Sequence, residues 1–287
     1  MGVDLLALYW TVSGPVEVHV GREWSLFDWP DRCAEARKVG FAGLGLWHAD
    51  LEHLLESRRL DELVRIFDGA GLRHLELEFL MDWFLDEGDV RRAESDRIRA
   101  LLLDAAAAFG AHHVKVGNIP GVPAELARLN EHFGRLCDEA AERTDARVVY
   151  EFMPFDVNVQ SLDAALAVVD GTRGGLAIDT WHMSKLGIAP QDLRRVPLEQ
   201  LSWIELSDGR RDDLPDLVEE TVNHRRLPGE GEFDVRGYVA AAVEHGYPGP
   251  WGVEVLSEEL RNNPIDVIFR RAYDATSSQF ERERSSA

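Results

Sequence analysis

Eight times along the chain, a short apolar run ends near polar or glycine residues and a longer stretch with helical spacing follows. This alternation constrains the fold more than any other feature. The strand-like runs are Leu5 to Trp10, Gly43 to Trp47, Arg73 to Phe79, His113 to Gly117, Arg147 to Glu151, Leu176 to Asp179, Leu201 to Leu206 and Trp251 to Val255. Between them, helical spacing is predicted from Pro30 to Val39, Arg59 to Ala70, Ala93 to Phe109, Pro123 to Arg143, Ser161 to Gly171, Pro190 to Val196 and Asp234 to His245, with a last helix starting at Pro264. Gly40, Gly71, Gly110 and Gly246 stand where such helices stop. Parallel neighbours need a helical crossover, and eight such units are the count that closes a barrel. The expectation is an α/β fold: one (β/α)8 barrel over residues 1–280, with residues 281–287 as a frayed tail. An open doubly wound sheet is the competing architecture. It has no Gly-rich dinucleotide fingerprint to support it, since Gly43-Leu44-Gly45 lies inside a strand. Neither a P-loop nor a Gly-x-Ser-x-Gly elbow is present.

The strand ends carry the chemistry. Val148-Val149-Tyr150 runs into Glu151, Leu176-Ala177-Ile178 into Asp179, Ser202-Trp203-Ile204 into Glu205, and Trp251-Gly252-Val253 into Glu254. A buried carboxylate without a partner is costly, so it calls for a cation or a hydrogen-bond cage. Taken singly, a carboxylate at a strand end is more often a helix cap or a salt-bridge partner than a ligand. Only barrel closure brings four consecutive strand ends around one axis, and four converging acids suggest a divalent metal site. Their charge exceeds what one divalent ion neutralises, which leaves room for one to be protonated or to serve as a base, or for Lys115 or Arg225 to lean in. His182 enters the loop just after Asp179, and His48 follows the second strand; both are candidates for substrate contact. Glu76 and Glu78 fall on one face of the third strand. Trp10, Trp47 and Trp181 sit near strand ends, as an apolar wall or as core; Trp47 is read as core. The loop from Arg225 to Glu232 is rich in glycine, with arginines able to bind an oxyanion.

Composition narrows the partners. A formal net charge of −21 opposes nucleic acid and anionic membranes, and no Lys/Arg-rich stripe tracks a phosphate backbone. No apolar run approaches a membrane span, and Met1-Gly2-Val3-Asp4 has no signal-peptide pattern. Cys33 and Cys137 are far apart in predicted helices and read as free thiols in a reducing, cytoplasmic setting. Apolar residues on the outer helices would allow a homo-oligomer, with no interface singled out.

Together, Glu151-Phe152, Ile178-Asp179-Thr180-Trp181-His182, Trp203-Ile204-Glu205-Leu206-Ser207-Asp208, Arg225-Arg226-Leu227-Pro228-Gly229-Glu230-Gly231-Glu232-Phe233 and Gly252-Val253-Glu254-Val255 resemble the sugar phosphate isomerase/epimerase family with its xylose isomerase-like TIM barrel. The superfamily includes ketose 3-epimerases, hydroxypyruvate isomerase, inosose dehydratase, 3-dehydroshikimate dehydratase and metal-dependent apurinic endonucleases. The resemblance implies one divalent ion (Mn, Mg, Co or Zn) on Glu151, Asp179 and Glu254, with Glu205 at the fourth ligand position. It implies substrate contact by His182 and Arg225. The fourth position is usually His or Gln, so Glu205 is a departure that makes the site more anionic and favours hard metals.

The leading expectation is a metal-dependent isomerase or epimerase of a keto-sugar or polyol, with Glu151 or Glu254 removing a proton next to a metal-bound carbonyl. His182, Arg225, His48 and Lys115 are the expected substrate contacts. Loss of a β-hydroxyl after the same first step would make the protein a dehydratase of inosose or 3-dehydroshikimate type. A third alternative is a non-catalytic barrel subunit or binding protein. An endonuclease is opposed by the acidic balance and by the few histidines at strand ends.

Overall fold

The apolar runs pair side by side, all parallel, and close on themselves. The computed structural model describes residues 3–18, 21–119 and 121–281. The expected frayed tail, apart from Glu281, lies outside the described residues, as do Met1 and Gly2. The elements run β1 (Leu5–Ala7), α1 (Tyr9–Val12), α2 (Trp29–Val39), β2 (Gly43–Trp47), α3 (His48–Leu55), α4 (Leu60–Gly69), β3 (His74–Leu80), α5 (Val90–Phe109), β4 (His113–Gly117) and α6 (Leu126–Arg143). They continue through β5 (Arg147–Glu151), α7 (Leu162–Val169), β6 (Gly175–Asp179), α8 (Thr180–Lys185), a 3₁₀ turn (Pro190–Arg195), β7 (Leu201–Leu206), α9 (Leu217–Asn223), α10 (Val235–His245), β8 (Trp251–Val253), α11 (Glu258–Arg261) and α12 (Ile265–Ser277). The sheet order is β1 to β8 in sequence, closed by β1 against β8 with Leu6 opposite Gly252.

Period-two alternation sorts the strand residues into two compartments. Leu44, Leu46, Leu75, Leu77, Val114, Val116, Val148, Ile178 and Ile204 face outward into the large core shared with the helices. Leu6, Leu8, Val149, Ala177 and Trp203 form a separate small cluster inside the barrel. Several other inward positions are charged: Glu76, Glu78, Lys115, Glu151, Asp179, Glu205 and Glu254 are all buried. The barrel is thus apolar outside its sheet and largely ionic within its upper half. Gly252 is required at the seam, because a Cβ there would lie 2.8 Å from the Trp203 ring.

The outer helices follow their stop and start signals. Asp28, Asp89, Ser161 and Asp234 each accept a backbone N–H at the start of α2, α5, α7 and α10. On α6, Leu129, Phe133, Leu136, Cys137 and Ala140 fall on one buried stripe, as its helical spacing predicts.

Several boundaries differ from the sequence reading, for identifiable reasons. The first and last strands are shorter than expected. The chain leaves β1 at Leu8 and turns into α1, where the Thr11 hydroxyl donates to the Val253 carbonyl at 2.8 Å and accepts from Val255 N at 2.7 Å. That side chain replaces strand pairing at the barrel's upper rim. The helix expected from Pro123 begins at Leu126, because Ala124 N is held by the Asn158 side chain at 2.8 Å. Five short helices were not expected: α1, α3, α8, α9 and α11. Two of them follow a strand with no loop between, and α9 starts where Asp216 caps Val218 N and Glu219 N inside a connection that otherwise reads as irregular. Among the described residues, no helix is long and apolar enough to cross a membrane.

Candidate metal centre and active site

Parallel register places the acids. Glu151 is the last residue of β5 and pairs with Ala177; Asp179, one layer higher, ends β6 and pairs with Glu205 of β7. Glu205 in turn sits opposite Gly252, so Glu254, just past β8, arrives on the same rim. Carboxylate oxygens of Glu151, Asp179, Glu205 and Glu254 all lie within 4.8 Å of one another. Glu151, Asp179 and His182 form a second such group. Oxygens bound to one hard cation at about 2.0–2.6 Å are separated by comparable distances. Glu205 Oε2 is buried and has no hydrogen-bond partner in the protein. The four acids therefore fit a divalent ion in number, donor type and spacing.

Two cations brace this cluster. The Lys115 ammonium reaches Glu205 at 2.7 Å, Glu254 at 2.8 Å, Glu78 at 3.0 Å, Glu76 at 3.1 Å and Glu151 at 3.6 Å. It lies beneath the four rim acids, with Glu76 and Glu78 completing its cage from β3. Arg225 approaches from the other side. Its Nη1 donates to Asp179 Oδ2 at 2.6 Å and to Glu254 Oε2 at 3.3 Å, while Nε and Nη2 both donate to Thr221 Oγ1. Its guanidinium stacks 5.0 Å from the Trp181 ring centre. Thr221 is on α9, so that short helix is what delivers the arginine. His182, on α8, has Nε2 3.2 Å from Glu151 Oε1 and 3.5 Å from Asp179 Oδ2, and its Nδ1 has no partner.

The electrostatics separate the carboxyls into two kinds. Burial by itself would raise Glu151, but the Lys115 ammonium and His182 outweigh it and hold this carboxyl below its ordinary value. Asp179 is likewise lowered, burial being outweighed by Arg225 and His182. Burial and then repulsion from Glu254 push Glu205 well above the usual range. Glu254 is raised, chiefly by burial, and burial lifts Glu76 to about 7. Lys115 pays a desolvation penalty that its ring of carboxylates more than offsets, so its pKa stays well above normal.

Above the cluster is a narrow cavity of about 60 Å³, lined by Glu78, Glu151, His182, Thr221, Arg225 and Glu254 at its floor and by Trp10, Trp47, Phe79 and neighbouring apolar side chains at its walls. The structure brings Glu151, Asp179, Glu205, Glu254, His182 and Arg225 together. It does not bring Lys115 or His48 to the cavity lining. The Lys115 ammonium is enclosed by carboxylates below the floor. His48 packs beside Trp47, with ring centres 4.5 Å apart and both nitrogens unpartnered, and burial lowers its pKa to about 4. Trp47, read as core, is both buried and part of the cavity wall. Trp181 is fully buried behind Arg225.

Sequence reasoning left Glu76 and Glu78 without a role. The signal was available: in a barrel whose strands are covered on the outside by helices, an acid in mid-strand has only the interior to point into. Thr221 carried no signal, because its place depends on α9.

A family model described as xylose isomerase-like TIM barrel matches residues 33–274. The chain belongs to that family. A curated relative, 3-dehydroshikimate dehydratase of Pseudomonas aeruginosa, is 27% identical over 243 residues, covering 82% of this chain and 37% of the relative. The chain therefore spans a little over a third of that relative's length. Among solved structures, a xylose isomerase-like TIM barrel/4-hydroxyphenylpyruvate dioxygenase fusion protein superposes with a TM-score of 0.81 at 18% identity, over 96% of this chain and 42% of the other. The IOLI protein with a binding zinc atom superposes with a TM-score of 0.78 at 17% identity, over 96% of this chain and 97% of the other. At those identities the two structures speak to the fold.

Proposed function

We propose that this chain, as a member of the xylose isomerase-like TIM-barrel family, is a divalent-metal-dependent enzyme that removes a proton next to the carbonyl of a small hydroxyketone. The observation that carries this reading is the set of four buried carboxylate oxygens within 4.8 Å of one another at the C-terminal rim of the barrel. Glu151, Asp179, Glu205 and Glu254 would hold the ion. When bound, it supplies Lewis-acid polarisation of a carbonyl and offsets the charge of the four acids.

The chain's own groups divide the remaining work. Arg225 orients Asp179 and Glu254 through Nη1 and is itself fixed by Thr221. Glu151 and Glu254 line the cavity, which supports one of them as the base that takes the substrate proton. His182 shares the cavity floor, with Nε2 3.2 Å from Glu151, where it can pass a proton to or from a substrate oxygen. Aromatic side chains above the floor exclude water and strengthen these interactions.

Return of the proton at another position or face makes the enzyme an isomerase or epimerase. Departure of a β-hydroxyl makes it a dehydratase, and the 27%-identical 3-dehydroshikimate dehydratase supports that outcome at least as well. The metal and the substrate are tested in turn. Protein purified without chelator is expected to carry about one Mn, Mg, Co or Zn per chain by elemental analysis, and Glu254→Gln to lose most of it. Metal-loaded protein is then supplied with keto-sugars, inosose and 3-dehydroshikimate in D2O. Deuterium incorporation or epimer formation marks the first outcome, and aromatic absorbance from 3-dehydroshikimate marks the second. Protein that binds no metal even after soaking in Mn²⁺ would leave the non-catalytic barrel as the better reading.

A further inference from the structure

The short helix α9 is docked by charge. Its seven residues make about two turns, too few for a helix to persist by itself in water. Its buried side chains are Glu220 and Thr221, both polar, and Val222 is partly buried against the apolar cluster at the mouth. The helix borders two open clefts, of about 670 and 520 Å³. Asp216 caps its first turn, and Arg261 holds its far end through the Val222 carbonyl at 2.8 Å and through the Asn223 side chain. Its middle is held through Glu220.

Glu220 reaches across to α8. Its Oε1 lies 2.7 Å from the Lys185 ammonium, with the two side chains 1% and 2% exposed, and its Oε2 accepts from Leu214 N at 2.8 Å. Lys185 also donates to Asp213 at 2.9 Å, but that carboxylate is 66% exposed. The ammonium lies 5.5 Å from the centre of the Trp181 ring, the same ring on which the Arg225 guanidinium stacks at 5.0 Å. Water screens the Asp213 contact and not the Glu220 one, so the buried pair is the stronger link. Each buried charge is tolerable only with the other in place.

The pair joins two elements that each serve the site. His182 and Lys185 are three residues apart on α8, hence on one face. Glu220 and Thr221 are adjacent on α9, so a hold on one is a hold on the other. Thr221 Oγ1 accepts from Arg225 Nε at 3.0 Å and from Nη2 at 2.9 Å. Across the gap, Arg225 Nη2 is 3.4 Å from His182 Nε2. We propose that Lys185 and Glu220 are positioning residues: their buried ion pair fixes α9 against α8 and thereby sets Arg225 relative to His182 and the rim acids. Neither lines the cavity, so they act only through Thr221 and Arg225. That Arg225 serves catalysis rests on the functional reading above; the hold of the pair on Arg225 does not.

The test reads Arg225 directly, in the full chain after chelation. The Nε–H of Arg225 is a distinct NMR signal, identified by its loss in Arg225→Lys. Its solvent exchange is measured relative to the backbone amide of Ile178 on β6, so that a general loss of stability cancels. Lys185→Met combined with Glu220→Gln removes both charges and leaves no unpaired buried ion. This double variant is expected to raise the relative exchange at least tenfold. Glu220→Gln alone is expected to raise it in the same direction, so the test stands on either variant. Asp213→Asn, which removes only the exposed contact, is expected to leave it within twofold of wild type. Unchanged relative exchange in the double variant, even with a lower urea midpoint, would show a pair that only adds stability and would overturn the proposal. An equal rise in Asp213→Asn would overturn it as well. Wild-type protein that binds no Mn²⁺ but shows the expected exchange pattern would overturn the metal-dependent reading and leave this one standing.

Discussion

Lys115 shows how much one side chain decides in this barrel. Five carboxylates lie within 3.6 Å of its ammonium, and all six residues are buried. Removing one partner from a buried ion cluster leaves uncompensated charge, at a cost of roughly 3–5 kcal/mol. Lys115→Met is therefore expected to lower the unfolding free energy of the metal-free protein by that order, and added Mn²⁺ to restore part of the loss by supplying the missing positive charge. Denaturation curves with and without the ion check both halves; a variant as stable as the parent would show that Lys115 is not the cluster's counter-ion. The sequence reading allowed Lys115 to lean in toward the strand-end acids. It gave no such part to Glu76 and Glu78, whose contact with Lys115 depends on β3 lying beside β4 in the closed sheet.

At the scale of elements, the connection after β7 turns an irregular stretch into a fixed one. Asp208 Oδ1 accepts from Gly209 N at 2.8 Å and Phe233 N at 2.9 Å, while Oδ2 accepts from Gly229 N at 3.0 Å. A two-way backbone bridge joins Asp208 to Arg226, the residue after the site arginine. Gly231 must remain glycine, since a Cβ there would sit 2.1 Å from Asp208 Oδ1. Asp208→Ala strands three backbone donors, each worth about 1–3 kcal/mol where water cannot replace the bond. Hydrogen exchange across residues 225–234 is expected to speed up at least tenfold while the outer helices stay protected. Unchanged exchange in that loop would mean that Asp208 does not hold it. Motif spacing singled this loop out as a candidate, but α9 and its Thr221 are legible only once the chain is folded.

For the molecule as a whole, the two ends of the barrel respond differently to acid. At the N-terminal end, burial pushes His112 down to about 4 from an ordinary 6.5, with the charges of His74 and Arg147 adding to the effect. Between those values the unfolded chain takes up a proton that the folded chain refuses. The stabilisation is complete above about pH 6.5 and is lost as pH falls toward 4, on the order of 3 kcal/mol at most. The raised acids of the centre work in the opposite sense, since Glu76 at about 7 gains its proton in the folded state first. A comparison with His112→Gln separates the two: between pH 7 and pH 4.5 the wild type is expected to lose more stability than the variant. Parallel pH profiles would show that the imidazole is not the group responsible.

The sequence by itself determined the local and the repetitive. The eightfold alternation led to a closed barrel, and the four strand-end acids to one rim, because period-two alternation and parallel pairing are set by short-range geometry. Glycine stops and Asp or Ser caps marked several helix ends for the same reason. Tertiary structure alone decided which charges meet. Lys115 and His48 were both expected to touch substrate, yet one is enclosed by five acids and the other packs against Trp47 away from the cavity. Burial, cross-strand register and α9 settle such pairings over long sequence separations, and no periodicity along the chain records them.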